Sequence, residues 1–186
     1  MSKARERLLR SAGRLFGERG YECVGINEII AQAEIAKATF YQHFPSKEAL
    51  CAEWLRVEMD QFTSMHQEIL DDPRAAHQKV SQMFDQLSVY VEGNGYHGCP
   101  FCVTATMVTG DSEIREVIVT YRERIRSFWH SVARELGTKA TAARNLGDAW
   151  LLLYTGALTE SQNVKDVWPV KQAKKAALAL AECARV

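Results

Sequence analysis

Two short stretches of the chain hold residue types that do chemistry. Cys99-Pro100-Phe101-Cys102, with His97 two residues earlier, places two thiols three positions apart at an expected helix start. Backbone N–H groups there favour a thiolate, so Cys99 is a candidate oxidant- or electrophile-sensing thiol with Cys102 as its resolving partner. A zinc site would need a fourth ligand and usually a second C-x-x-C, which is not nearby, so no metal is expected. Thioredoxin-like exchange would need flanking strands. The competing reading packs Cys99 as a small apolar residue.

The second stretch runs from Ile35 to Lys47. On a helix beginning near Ala36, the side chains of Lys37, Ala38, Thr39, Tyr41 and Gln42 face outward while Ile35, Phe40 and Phe44 point to a core. Lys37 suits a phosphate or a guanine, Thr39 a phosphate or a base, and the Ala38 methyl a thymine methyl. Lys47, in the first turn of the following helix, adds a cation beside N–H groups that favour phosphate. Taken singly, an aromatic pair packs a core, a lysine at a helix start is solvated, and His43 caps a carbonyl. In this order and spacing they favour nucleic acid.

The elements that must position these residues are helical. Apolar residues recur at helical spacing in Leu8, Leu9, Ala12, Leu15 and Phe16, in Val80 to Val91, and in Ile114 to Trp129, and no alternating strand is visible. Nine helices are expected, near 3–19, 26–33, 37–43, 46–68, 73–92, 99–109, 111–136, 139–163 and 169–184. Gly20 closes the first, Pro45-Ser46 separates and caps the third and fourth, Asp72-Pro73 caps the fifth, and Pro169 opens the last. Gly93 to Gly98 reads as a mobile loop by composition. Two successive helices of seven or eight residues cannot stand alone in water, so packing must hold them. Two short helices after a basic helix and before a long one form the arrangement of a helix-turn-helix reader.

Composition bounds the rest. The chain has 186 residues, 23 Lys plus Arg against 23 Asp plus Glu, and 47% hydrophobic residues. That is one domain, or one with a small module, of ordinary globular character. Residues 1–19 carry Lys3, Arg5, Arg7, Arg10, Arg14 and Arg19 against Glu6 and Glu18, a local excess of four positive charges. No apolar run matches a membrane helix or a signal peptide, and five scattered cysteines do not form a disulfide framework, so a cytoplasmic protein is expected.

Gly20-Tyr21 and the run Ala33 to Leu50, above all T-F-Y-x-H-F-x-S-K-E-x-L, resemble the N-terminal domain of the tetracycline-repressor (TetR/AcrR) family. The resemblance implies an all-α fold with a helix-turn-helix DNA-binding domain over 1–46 and a ligand-binding and dimerisation domain over 47–186. It also implies double-stranded operator DNA as partner, with Tyr41 and His43 as a backbone-positioning pair and Asn27 at a position that often reads DNA. Four residues depart from the pattern. Glu34 stands where the turn has glycine, forcing a left-handed non-glycine residue at a cost of order 1 kcal/mol. Ala36 replaces a Ser/Thr cap, losing about 1 kcal/mol, while Gly25 replaces a capping Thr or Ser and Ile30 a small alanine.

In this family the later helices surround a ligand cavity. The candidates for contact with a small-molecule effector are Phe84, Tyr90, Phe101, Thr104, Met107, Tyr121, Arg124, Trp150 and Tyr154, weighed against plain aromatic packing. Small residues such as Ala143, Gly147, Gly156, Ala173 and Ala177 interleave with leucines in the last two helices. The resemblance makes this the seam of a homodimer, and a two-fold dimer calls for a palindromic operator. The implied function is a ligand-responsive transcriptional repressor released by its effector. The alternatives are a thiol-switched repressor acting through Cys99 and Cys102, or a helical protein-interaction adaptor. No nucleotide loop, nucleophile elbow, zinc-protease or di-iron motif is present, so neither an enzyme nor a cofactor is expected.

Overall fold

The computed structural model describes residues 2–184, and these form nine helices with no strand. They are α1 (Lys3–Arg19), α2 (Ile26–Ala33), α3 (Lys37–His43), α4 (Lys47–Asp71), α5 (Ala76–Gly93), α6 (Pro100–Ala105), α7 (Glu113–Arg134), α8 (Ala140–Val164) and α9 (Trp168–Cys183). Two compact units share them: Met1–Gln61 with Pro100–Tyr121, and Phe62–Cys99 with Arg122–Val186. The boundaries fall inside α4 and α7, so two long helices contribute to both.

Local chemistry sets most helix ends. The Ser2 hydroxyl accepts the Arg5 N–H at the start of α1, and Gly20, at φ +83°, closes it by donating to Phe16 O. Ser46 caps α4 through Ala49 N–H, as expected, and Pro169 sits in the first turn of α9. The fifth helix does not start at Asp72-Pro73. The Asp72 carboxylate instead accepts from the Arg74 backbone and guanidinium, which hold it down at about 2. The helix begins at Ala76, where Gln78 Oε1 accepts the Ala75 N–H. The expected sixth helix is likewise shorter, ending at Ala105.

In the first unit, α1, α2 and α3 pack together around Leu8, Ala12, Phe16, Ile29 and Phe40, all buried. Burying several such side chains at about 1.5–3 kcal/mol each supplies what the two short helices lack alone. Phe16 meets Trp54 at 5.6 Å between ring centroids, joining α1 to the start of α4.

In the second unit, Met83, Phe84, Leu87, Trp129 and Trp150 are buried where α5, α7, α8 and α9 meet. Trp150 Nε1 donates to Ala177 O at 2.9 Å, fixing α8 on α9. Gly147 lets α8 approach α7, for a Cβ there would stand 2.9 Å from the backbone N of His130. Lys79 is buried, but its ammonium donates to Leu70 O and Glu135 Oε1, so its charge is compensated. The Gly93 to Gly98 connection is tied by Tyr90 Oη and Asn94 Nδ2, both donating to Gly98 O, and by Lys165 Nζ donating to Tyr96 O.

His66 lies in this unit, 5% exposed, and burial lowers it from 6.5 to about 4. The folded state therefore resists a proton that the unfolded chain accepts. Stability is full above pH 6.5 and falls as pH drops toward 4, by on the order of 3 kcal/mol from this group. Urea unfolding from pH 7.5 to 4.5 should show that loss, and His66→Phe should flatten the pH profile over this range. An unaltered slope in the variant would mean that His66 is not the group responsible.

Candidate nucleic-acid interface

The turn between α2 and α3 fixes how α3 is presented. Glu34 ends α2 in the left-handed region, at φ 49° and ψ 53°, with its N–H donating to Ile30 O and Ala31 O. The strained non-glycine turn expected from the sequence is therefore formed. Its carboxylate pairs with Arg7 at 2.7 Å. Ala36 and Gly25 precede α3 and α2 without any side-chain cap, leaving burial of Ile29 and Phe40 to hold them.

On α3 the two sides separate by burial. Phe40 is fully buried and Phe44 nearly so, while Lys37, Ala38, Tyr41 and Gln42 are exposed and Thr39 is half-buried. Ile35 is half-buried rather than a full core residue. The Tyr41 ring stands edge-on to Phe40 at 5.1 Å, and the residue is 48% exposed. Asn27, in the first turn of α2, is also exposed. These side chains can present an ammonium, a hydroxyl, a phenol and two amides to a groove, the set that phosphate and base-edge contacts use.

Two residues assigned to the DNA face have protein partners. Lys47 Nζ donates to Tyr21 O at 3.0 Å and Val24 O at 3.2 Å, and lies 4.2 Å from the Tyr21 ring centroid. It staples the α1–α2 connection to the start of α4. Nearby, burial pushes the Tyr21 phenol and the Cys51 thiol up to about 12, so neither ionises at neutral pH. His43 Nε2 lies 3.3 Å from Ser2 Oγ, tying the end of α3 to the α1 cap.

The basic end is also more compensated than its composition suggests. Arg5 pairs with Glu53, Arg7 with Glu34, Arg14 with Glu18 and Arg19 with Glu28. Lys3, Arg10 and Lys37 are exposed with no ion pair among the described residues. Sequence arithmetic counted charges along α1 and had no signal for the acids that α2 and α4 bring alongside.

The effector candidates divide between the two units. Phe101, Thr104, Met107 and Tyr121 belong to the first, where Phe101 and Tyr121 stack at 3.7 Å and Met107 Sδ and Cε press against Gly20 at the end of α1. In the same unit Glu113 N–H donates to Glu48 and its carboxylate accepts from Arg56 at 2.9 Å. Phe84, Tyr90, Arg124, Trp150 and Tyr154 belong to the second. Phe84, Trp129 and Tyr154 meet there with ring centroids 5.7–6.1 Å apart. Arg124 is exposed and reaches Thr63, and Trp150 spends its N–H on Ala177 O, which makes it a packing residue. Cys99 is buried and Cys102 half-buried, one at the end of a second-unit segment and the other in α6. No group of three or more possible metal ligands occurs among the described residues.

Residues 8–53 match the family model of bacterial regulatory proteins, tetR family. That segment is a TetR-family N-terminal domain. YerO of Bacillus subtilis, an HTH-type transcriptional regulator, is 31% identical over 77 residues, 39% of this chain and 27% of the relative. KstR2 of Mycolicibacterium smegmatis, an HTH-type transcriptional repressor, is 32% identical over 80 residues, 43% of this chain and 39% of the relative. The match thus spans less than half the length of these curated relatives. The fold likeness is longer: the TetR-family regulator SCO4454 of Streptomyces coelicolor superposes with a TM-score of 0.90 at 20% identity, covering 98% of this chain and 96% of that one. A TetR regulatory protein of Rhodobacter sphaeroides gives 0.85 at 19% identity, covering 96% and 99%. The matched segment holds α1 from Leu8 onward, α2, α3 and the first turns of α4, so the TetR-family likeness falls on the surface just described.

Lys47 and Lys37 are distinguishable by experiment. Lys47→Met should cost about 2 kcal/mol in urea unfolding, because two part-buried carbonyls lose a charged donor. Lys37→Ala should leave stability unchanged within about 0.5 kcal/mol, as exposed substitutions do. Full stability of Lys47→Met would contradict the staple.

Proposed function

We propose that this chain is a homodimeric transcriptional repressor, not an enzyme, which binds a palindromic operator and releases it when a small molecule binds the C-terminal region. The observation that carries the reading is α3: its apolar side is consumed by the core, and Lys37, Ala38, Thr39, Tyr41 and Gln42 are left for base edges and phosphates, with Asn27 beside them. In this reading residues 1–46 bind DNA and 47–186 bind effector and dimerise. Lys47 and His43 contribute by positioning the head, and Lys3 and Arg10 join Lys37 as candidate phosphate ligands. No helix among the described residues is long and apolar enough to cross a membrane, and cytoplasmic DNA is the proposed place of action.

Dimerisation is supported by what α8 and α9 leave uncovered. Leu152 is 71% exposed, Leu180 39% and Trp168 51%, and nothing lies near Gly156. Leu146, Leu151, Ala173 and Ala177, by contrast, are spent within the unit. Pairing this face with its copy about a two-fold axis removes apolar surface from water and sets two α3 helices at one fixed spacing. The proposed switch is a change in that spacing. An effector that binds one state better shifts the population toward it. The segment Pro100–Tyr121, which packs in the same unit as the head, is suited to carry such a change to Gly20 and α4.

Two measurements test this reading together. Leu152→Glu with Leu180→Glu should halve the mass in sedimentation and weaken operator binding at least a hundredfold. Lys37→Ala should weaken binding to all duplexes and lower the slope of log affinity against log salt by about one per head. A fully dimeric double variant would overturn the seam, and an unchanged slope would remove Lys37 from the phosphates.

A further inference from the structure

Three aromatic side chains in the second unit carry polar atoms that the protein leaves unpaired. Trp129 is fully buried and its Nε1–H meets no acceptor. His66, 5% exposed, lies flat on Phe128 with ring centroids 4.6 Å apart and has no hydrogen bond among the described residues. The Tyr154 hydroxyl has none among them either, although the residue keeps accessible surface. All three sit in one continuous set of rings. Phe128 meets Trp129 at 5.2 Å, Trp129 meets Tyr154 at 5.7 Å, and Phe84 touches both Trp129 and Tyr154. Buried polar atoms are nearly always hydrogen-bonded; the Trp129 N–H is an exception, and together with the unpaired polar groups of His66 and Tyr154, which keep some accessible surface in the same cluster, it forms a binding surface rather than a plain core.

The surroundings define what fits. Burial alone holds His66 at about 4, and burial with the neighbouring Cys99 and Tyr90 raises Tyr154, so no charged group acts on either. Lys79, the buried ammonium of this unit, is consumed by Leu70 O and Glu135. A carboxylate or ammonium entering the cluster would lose its hydration and find no countercharge. Walls made of ring faces and edges favour a flat aromatic partner. The indole N–H can only donate, and the phenol can also donate, so the partner must offer an acceptor.

We propose that this cluster binds an uncharged, flat aryl carbonyl compound, its ring packed among His66, Phe84, Phe128 and Tyr154 and its carbonyl oxygen accepting from Trp129 Nε1–H and the Tyr154 hydroxyl. This rests on the reading that the second unit takes the effector, and it adds the effector's chemical class.

Equilibrium dialysis of the full chain against three matched probes tests it: 2-acetylnaphthalene, 2-ethylnaphthalene and 2-naphthoate. The ketone should bind saturably, one per chain, with the hydrocarbon at least fivefold and the carboxylate at least tenfold weaker. Trp129→Phe should erase the preference for ketone over hydrocarbon. Tyr154→Phe, which removes a single hydroxyl and keeps the ring, should weaken the ketone several-fold and leave the hydrocarbon unchanged, and it stands as the test if the tryptophan variant does not fold. Equal or tighter binding of the carboxylate, equal binding of ketone and hydrocarbon, or no saturable binding of any probe would overturn the proposal. Operator binding by the same preparation without probe separates the two claims. If operator binding is intact and the probe order wrong, the ligand class alone falls. If operator binding is absent, the repressor reading falls while the probe order stands on its own.

Discussion

Helices of eight and seven residues do not persist in water by themselves, and α2 and α3 are of that length. Burial of Ile29 and Phe40 against α1 is therefore the constraint on which the proposed DNA-reading surface depends. It fixes which residues of α3 are left outside, and so which chemistry faces a groove. The secondary supports serve the same end. Lys47 ties the α1–α2 connection to α4, His43 meets the cap of α1, and Arg5 lies over the Phe44 ring at 5.4 Å while pairing with Glu53. The missing caps at Gly25 and Ala36 and the left-handed Glu34 show that local preference was overridden there by tertiary packing.

The same interactions moderate the head's electrostatics. Four of the six basic residues of α1 are matched by acids, among them Glu34 at the turn itself. Exposed pairs of this kind are weak, about 0–1 kcal/mol each, and yield readily to phosphate. In the proposed operator complex their presence lowers the nonspecific, purely electrostatic share of affinity and leaves relatively more of the discrimination to α3 side chains.

Much of this was legible in the residues. Helical spacing located α1, α2 and α3 to the residue, and Ser46, Gly20 and Pro169 marked real boundaries. The outward set on α3 followed from the period of the helix. Illegible features were those decided by partners distant in sequence. Lys47 reads as a solvent-facing cation until Tyr21 and Val24 carbonyls are brought to it, and Trp150 reads as a pocket residue until Ala177 accepts its N–H. Asp72-Pro73 has the residues of a helix cap, but Arg74 claims the carboxylate first. In the second unit the aromatic stripe identified Phe84 and Tyr154, yet gave no sign that Trp129 and His66 would be the rings with unpaired polar atoms.

Sequence-specific DNA binding by a two-fold pair of α3 helices is the property from which the proposed repression follows. Selection of bound duplexes from a randomised pool by the purified chain measures this without a guessed effector. Recovery of an inverted repeat whose half-sites lie about one helical turn apart, or a little more, is the predicted result. Failure to enrich any sequence under conditions where the protein is folded and dimeric would contradict it.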